Sequence, residues 1–218
     1  MEEFTGLDIE KAKIELKRFK DQCDEVSETI NQTFLNFFET LETKWASENA
    51  VAFGKKYSPK IADFLAEFDT HYLHVLSGAA SAAQTIAYAN GMSFGSTEEY
   101  NYMEVGEIIG AVDYYNRNIQ TSINGVTGMV VANVQIALEL LQNGIAKVIT
   151  NLNELPKGIA FYSPDGMLRH TYNTNIEKFI TQFEALCNEM VAEIKSYMET
   201  EIDNILLAKE QAQSIMNG

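Results

Sequence analysis

Asp63, Glu67, His71 and His74 follow one another at spacings of four, four and three. On a helix these spacings put two carboxylates and two imidazoles along one face, an arrangement that could ligate a divalent cation. No metal motif and no second ligand set accompanies them. A solvated, partly paired acidic face is the favoured reading, and neither metal nor cofactor is expected. His170 lies far away, between Arg169 and Thr171. Cys23 and Cys187 occupy apolar positions of helical patterns. Buried free thiols are favoured there, and a disulfide between the two helices stays open. With three histidines, two dispersed cysteines and no glycine-rich phosphate loop before a helix, the chain carries no catalytic signature and reads as non-enzymatic.

These residues sit on long helical patterns. Residues 8–44 carry apolar positions alternating at three and four, among them Leu16, Phe19, Cys23, Val26, Ile30, Phe34 and Leu41. That is the seam of paired helices. Lysines 11, 13, 17 and 20 alternate with acids, which makes their face solvated and not a binding patch. Residues 45–58 read as a turn, with Ser58 as cap and Pro59 as first residue of a second helix. That helix shows the seam Ile61, Leu65, Phe68, Tyr72, Val75, Ala79, Ala82 and Ile86. A Gly/Asn/Ser loop at 88–97 leads to Ser96 and Glu99, a capping box. A third helix is predicted from there to about Leu152, about 80 Å long if unbroken, with Gly125, Gly128 and Gly144 as weak points.

Residues 153–173 break the helical period around Ser163, Pro164, Asp165 and Gly166, a type I turn signal. Two readings remain. One is a short β-hairpin near 159–172. The other is a degenerate copy of the first helical turn, with Phe161 and Ser163 echoing Trp45 and Ser47. Thr174 and Glu177 form another capping box before a fourth helix that reaches about Ile215, with Ile176, Phe179, Phe183, Leu186, Met190, Ile194, Tyr197, Ile202 and Ile205 facing in. The fold expected is all-α: an elongated bundle of two long antiparallel helical hairpins, residues 1–95 and 96–218, with a degenerate repeat packed on the first as one reading of the second.

Composition narrows the function. The net charge is −15, and no Lys or Arg occurs from residue 61 to 116. Nucleic-acid binding, which needs clustered cations, is not expected. The acidic, polar start carries no apolar signal-peptide core, and no run of about eighteen apolar residues suggests a membrane span.

The single tryptophan, Trp45, is followed two residues on by Ser47 and eight on by Phe53. A small residue lets the backbone bend closely there, and the two aromatics fill the gap where two helices part. Ser58, Pro59 and Lys60 open the next pattern. This arrangement, over roughly residues 5–90, resembles the W-x-G family of helical-hairpin proteins exported by type VII secretion, with Ser47 standing where the family carries Gly. The chain's length resembles that of the related L-x-G modules at the front of secreted toxins.

The resemblance implies a non-enzymatic export substrate or export-targeting module, cytoplasmic before release by a signal-peptide-independent route. It implies several partners: the type VII membrane ATPase, a small helical protein or a second copy, and a linked or bound toxin. It also implies a Y-x-x-x-D/E export signal near the end of a hairpin. Tyr100 with Glu104 and Tyr197 with Glu201 match, as chance would supply in a chain with ten tyrosines and 31 acids. Tyr197 and Glu201 are the better placed. The alternative of another class is a cytosolic helical-bundle chaperone or adaptor that binds a partner helix.

Overall fold

The computed structural model describes residues 6–100, 130–131 and 134–217. Four α-helices among them form a bundle with one shared core: α1 (Ile9–Lys44), α2 (Glu48–Ala89), α3 (Gln135–Glu154) and α4 (Ile176–Asn217). The short strands β1 (Trp45–Ala46) and β2 (Val130–Val131) pair with each other, and β3 (Gly158–Tyr162) pairs with β4 (Leu168–Asn173), both antiparallel. The all-α expectation and the hairpin near 159–172 both hold.

α1 starts where Asp8 accepts a hydrogen bond from the Lys11 N–H at 3.1 Å, satisfying one of the donors left free at a helix start. Its seam from Ala12 to Leu41 is buried throughout. Lys17 pairs with Asp21, Arg18 with Glu15 and Lys20 with Asp24, so this basic stretch is a self-paired surface.

α2 corrects the expected restart at Ser58. The cap is Ser47, whose hydroxyl accepts from the Ala50 N–H at 3.2 Å, and the helix runs on through Pro59. Proline inside a helix costs about 3 kcal/mol. Here Ala50, Phe53, Tyr57 and Ile61, all buried, continue one seam across the proline. Burying three large side chains at about 1.5–3 kcal/mol each outweighs that cost. Beyond Tyr72 the buried positions are Leu76, Ala79, Ala80, Ala83 and Ala87, while Val75 and Ile86 are only half-buried. A 3.6-residue helix drifts against a 3.5-residue seam, and here the drift amounts to one position.

Of the predicted third helix, the described residues show helix from Gln135 to Glu154 and a short strand at Val130–Val131. Ser96 accepts from the Glu98 N–H at the start of a 3-10 turn, Glu98–Tyr100. Val130 and Val131 pair with Ala46 and Trp45. The chain end of α1 is extended at Trp45 (φ −140°, ψ 103°), which leaves backbone groups open to a partner strand, and β-branched valines suit that role. Residues 101–129 of that predicted helix, with Glu104, Gly125 and Gly128 among them, lie outside the described residues. Gly144 is no kink; it is where α3 touches α1. A Cβ there would sit 2.3 Å from Thr33 Cγ2. Nearby, Asn151 donates to Thr29 Oγ1 at 3.0 Å.

The β-hairpin closes one end of the bundle. Its turn uses Gly166 at φ +86°, a left-handed geometry that follows a type I turn and leads into the register shift at Phe161/Tyr162. Ile159 and Phe161 face the core, and Asp8 N–H donates to Tyr162 O at 2.9 Å. The Tyr172 hydroxyl donates to Gly78 O at 3.0 Å. Phe161 and Ser163 therefore belong to a strand and its turn, not to a second helix–helix corner. They lie beside the start of α1, while Trp45 ends that helix about 54 Å away.

α4 begins without the expected capping box. The Thr174 hydroxyl is buried and donates to Pro156 O at 2.6 Å, and Asn173 Oδ1 accepts from the Asn175 N–H instead. Phe179, Phe183, Cys187, Met190 and Ile194 are fully buried. Cys187, not the half-buried Leu186, fills the seam. Lys178 pairs with Glu67, Lys60 with Glu189 and Lys56 with Glu193, which sets α4 antiparallel to α2. Ile202 and Ile205, expected to face inward, are exposed.

The Gly144 contact gives a prediction. Alanine favours helix over glycine by about 1 kcal/mol, but overpacking against a stiff, buried threonine costs about 1–3 kcal/mol. Gly144→Ala should lower the thermal midpoint. The same substitution in a Thr33→Ala background should be neutral or stabilising.

Candidate functional site

The motif residues meet at the far end of the bundle. Trp45 is buried, with its ring 5.9 Å from that of Phe53 and 5.8 Å from that of Tyr197. Ser47 follows in extended backbone and opens α2. The antiparallel register of α2 and α4 carries Tyr197 and Glu201, four residues apart on one helix face, to this corner.

Glu201 is the centre. The Trp45 indole N–H donates to its Oε2 at 2.9 Å. The Ser47 hydroxyl donates to Oε1 at 2.6 Å and the Asn49 amide donates to the same oxygen at 2.9 Å. All three donors are neutral. The Glu201 side chain is 3 % exposed, so its charge is held by hydrogen bonds in place of water. Burial of an ion costs several kcal/mol, and hydrogen bonds to a charged group return about 1.5–3 kcal/mol each. Three such bonds suffice to keep the carboxylate inside. Ser47 uses both capacities of its hydroxyl, accepting from Ala50 and donating to Glu201. Glycine there would supply neither bond.

About two turns earlier on α4, Glu193 gathers a second set. Lys56 and the Tyr57 hydroxyl both donate to it, and Tyr197 shares it. Burial pushes the Glu193 carboxyl up, but these donors outweigh it and leave it below the usual carboxylate range. Burial, then the bond to Glu193, push the Tyr57 and Tyr197 hydroxyls up.

Five singled-out residues, Trp45, Ser47, Phe53, Tyr197 and Glu201, thus form one cluster, although the sequence presented them as two separate motifs. Asn49, Tyr57 and Glu193 join it without a sequence signal beyond their place on amphipathic helices. Phe161 and Ser163 are not part of it. The chemistry available is that of a clamp, in which one carboxylate ties the last buried turn of α4 to the α1–α2 corner.

The acidic-histidine face does not assemble. Asp63 and His74 are exposed, Glu67 pairs with Lys178, and a His71 ring nitrogen lies 3.1 Å from Thr174 O. Among the described residues no three His, Cys, Asp or Glu side chains are placed to share a metal ion. Both cysteines are free and buried. Burial pushes the Cys23 thiol well up and the Cys187 thiol up to about 12.

Two further features stand out. Asp69 is buried between α1 and α2, where the Ser27 hydroxyl donates to its Oδ1 at 2.8 Å. Its Oδ2 and the Tyr72 hydroxyl have no hydrogen-bond partner among the described residues. Burial pushes the Asp69 carboxyl up against the opposing pull of Ser27, with Asp24 adding to the rise. The second feature is the outer part of α4. Every side chain from residue 202 to 216 is exposed, including Ile202, Ile205, Leu206 and Leu207. A groove of about 470 Å³ lies between this stretch and the start of α3, lined by Val134, Leu138, Met198, Ile202, Ile205 and Leu206 among others. No described helix is long and apolar enough to cross a membrane.

Comparisons with family models, curated proteins and solved structures find no match to this chain.

Two predictions follow from the buried acids. Glu201→Ala leaves the Trp45 N–H without its acceptor in the core and should cost about 3 kcal/mol of stability, read from chemical denaturation. Asp69 behaves oppositely to a surface carboxylate. With its folded value raised, its favourable contribution is complete below the ordinary carboxylate range and is lost as pH rises through the raised value. The stability of Asp69→Asn relative to the wild type should therefore increase as pH rises above about 4, read from denaturation midpoints of the two proteins side by side.

Proposed function

We propose that this chain is a non-enzymatic helical protein exported by a bacterial type VII system, either as a substrate or as the module that targets a linked or bound toxin. It works by helix–helix association. The observation that carries this reading is the outer part of α4, a helical stretch with exposed apolar side chains at residues 202, 205, 206 and 207. Isolated helices of this length are marginal in water, so the stretch is suited to a helical partner or a second copy. The Trp45–Ser47–Phe53 corner between two long helices supports the family resemblance, and Tyr197 with Glu201 is the proposed export signal read by the membrane ATPase.

The burial of Glu201 favours a second reading, in which the pair is purely structural and the protein is a cytosolic adaptor that binds a partner helix. Export separates the two. Immunoblots of culture medium from the source bacterium, with a cytosolic marker to exclude lysis, should show the protein only when the type VII ATPase is intact. Retention in both strains, while another substrate is exported, would overturn the first reading in favour of the second.

A further inference from the structure

Two carboxylates are buried among the described residues, Asp69 at 1 % and Glu201 at 3 % exposure, and they are served unequally. Glu201 accepts from Trp45, Ser47 and Asn49, enough to hold a charge away from water. Asp69 accepts one bond, from the neutral Ser27 hydroxyl across the α1–α2 interface. Its Oδ2 has no partner among the described residues, and neither has the buried Tyr72 hydroxyl about one turn further along α2. The other groups around this cell favour the neutral acid or leave it alone. Asp24 of α1 adds a like charge, and the Lys20 ammonium beside it is bonded to Asp24. Cys23, about one turn before Ser27, feels the charge of Asp69 in turn. The Tyr72 ring packs among Phe19, Phe68 and, from α4, Phe179, at 5.7, 4.4 and 5.5 Å. His71 lies edge-on to Tyr72, with a ring nitrogen 3.1 Å from Thr174 O. An ion buried here with one neutral donor is left largely uncompensated, so burial favours the protonated acid.

We propose that Asp69 is a proton-controlled opening point of the α1–α2 hairpin: protonated, it stays closed on Ser27; ionised, it draws water between the two helices and exposes Cys23, while the Glu201 corner and the α4 seam stay shut. Water is the donor that an ionised Asp69 lacks, and it reaches Oδ2 where α1 parts from α2. In the open state the carboxyl has its ordinary value, near 4, and in the closed state a raised one. Opening therefore grows as pH rises between the two, by at most about tenfold per pH unit for one proton, and levels off above the raised value. The device does not rest on the export reading.

The two free cysteines supply the readout, since Cys23 lies in the cell and Cys187 in the α4 seam, both buried. The full chain is labelled with dithiodipyridine from about pH 4 to about pH 8, across and beyond the carboxylate range, and the labelled peptides are quantified by mass spectrometry. The ratio of Cys23 to Cys187 labelling cancels the pH dependence of the reagent. In the wild type this ratio should rise with pH, by up to about tenfold per unit. In Asp69→Asn, which keeps Cys23, Asp24, His71 and Tyr72, it should stay flat. A flat ratio in the wild type, whether both cysteines stay closed or both open together, would overturn the proposal. So would an equal rise in Asp69→Asn.

Should Asp69→Asn fail to fold, the wild type alone decides. The Asp69 carboxyl carbon, followed by NMR, should titrate above the ordinary carboxylate range. Amide exchange of residues 19–30, corrected for the intrinsic rate, should speed up over the same pH interval, while that of residues 176–194 does not. Titration within the ordinary range, exchange that is unchanged over that interval, or exchange that follows the His71 ring instead would each overturn the switch.

Discussion

A carboxylate kept out of water dictates much of the geometry at one end of this molecule. Glu201 can be buried only if donors reach it from several directions, and those donors come from the last residue before the α1–α2 corner, from the helix cap and from the first turn of α2. The corner therefore has to be sharp, Ser47 has to be extended, and α2 has to start at residue 48 despite the proline eleven residues further on. The antiparallel ladder of Lys56, Lys60 and Lys178 with Glu193, Glu189 and Glu67 sets the register that delivers Glu201 to this point. Surface ion pairs of this kind contribute little energy, about 0–1 kcal/mol each, but wrong registers would set like charges together.

The helices that were legible in the sequence were those whose apolar period runs without competition. α1 carries its cap and its seam in order from Asp8 to Leu41, and nothing else in that stretch offers the backbone a partner. The strand at Val130–Val131 was not legible, because a local apolar period says nothing of a strand partner about 85 residues away in sequence. The extended backbone at Trp45 and Ala46 provides that partner for Val131 and Val130. Pro59 misled for the opposite reason: a local breaker was overridden by burial of the side chains around it. The hairpin at 158–173 was visible as a turn signal, and the choice between strand and helical corner was settled by Phe161 packing inward as alternate strand residues do.

For the candidate site, residue types were readable and their meeting was not. Trp45, Ser47 and Phe53 belong to one local motif and Tyr197 with Glu201 to another. Their convergence depends on α4 passing antiparallel to α2, a fact that no local spacing encodes. Ser47 looked like a departure from a glycine motif, yet its hydroxyl both caps α2 and binds Glu201. Asn49 had no signal at all, since an amide in the first turn of a helix is commonplace.

The distance along the chain between Trp45 and Glu201, 156 residues, has a consequence for synthesis. At about 5–20 residues per second, the α1–α2 corner waits about 8 to 30 s after it is made before its acceptor exists. During that interval the indole N–H and the serine hydroxyl can be satisfied only by water or by another molecule. The N-terminal hairpin is thus born with its corner incomplete, and it is finished from the opposite end of the chain.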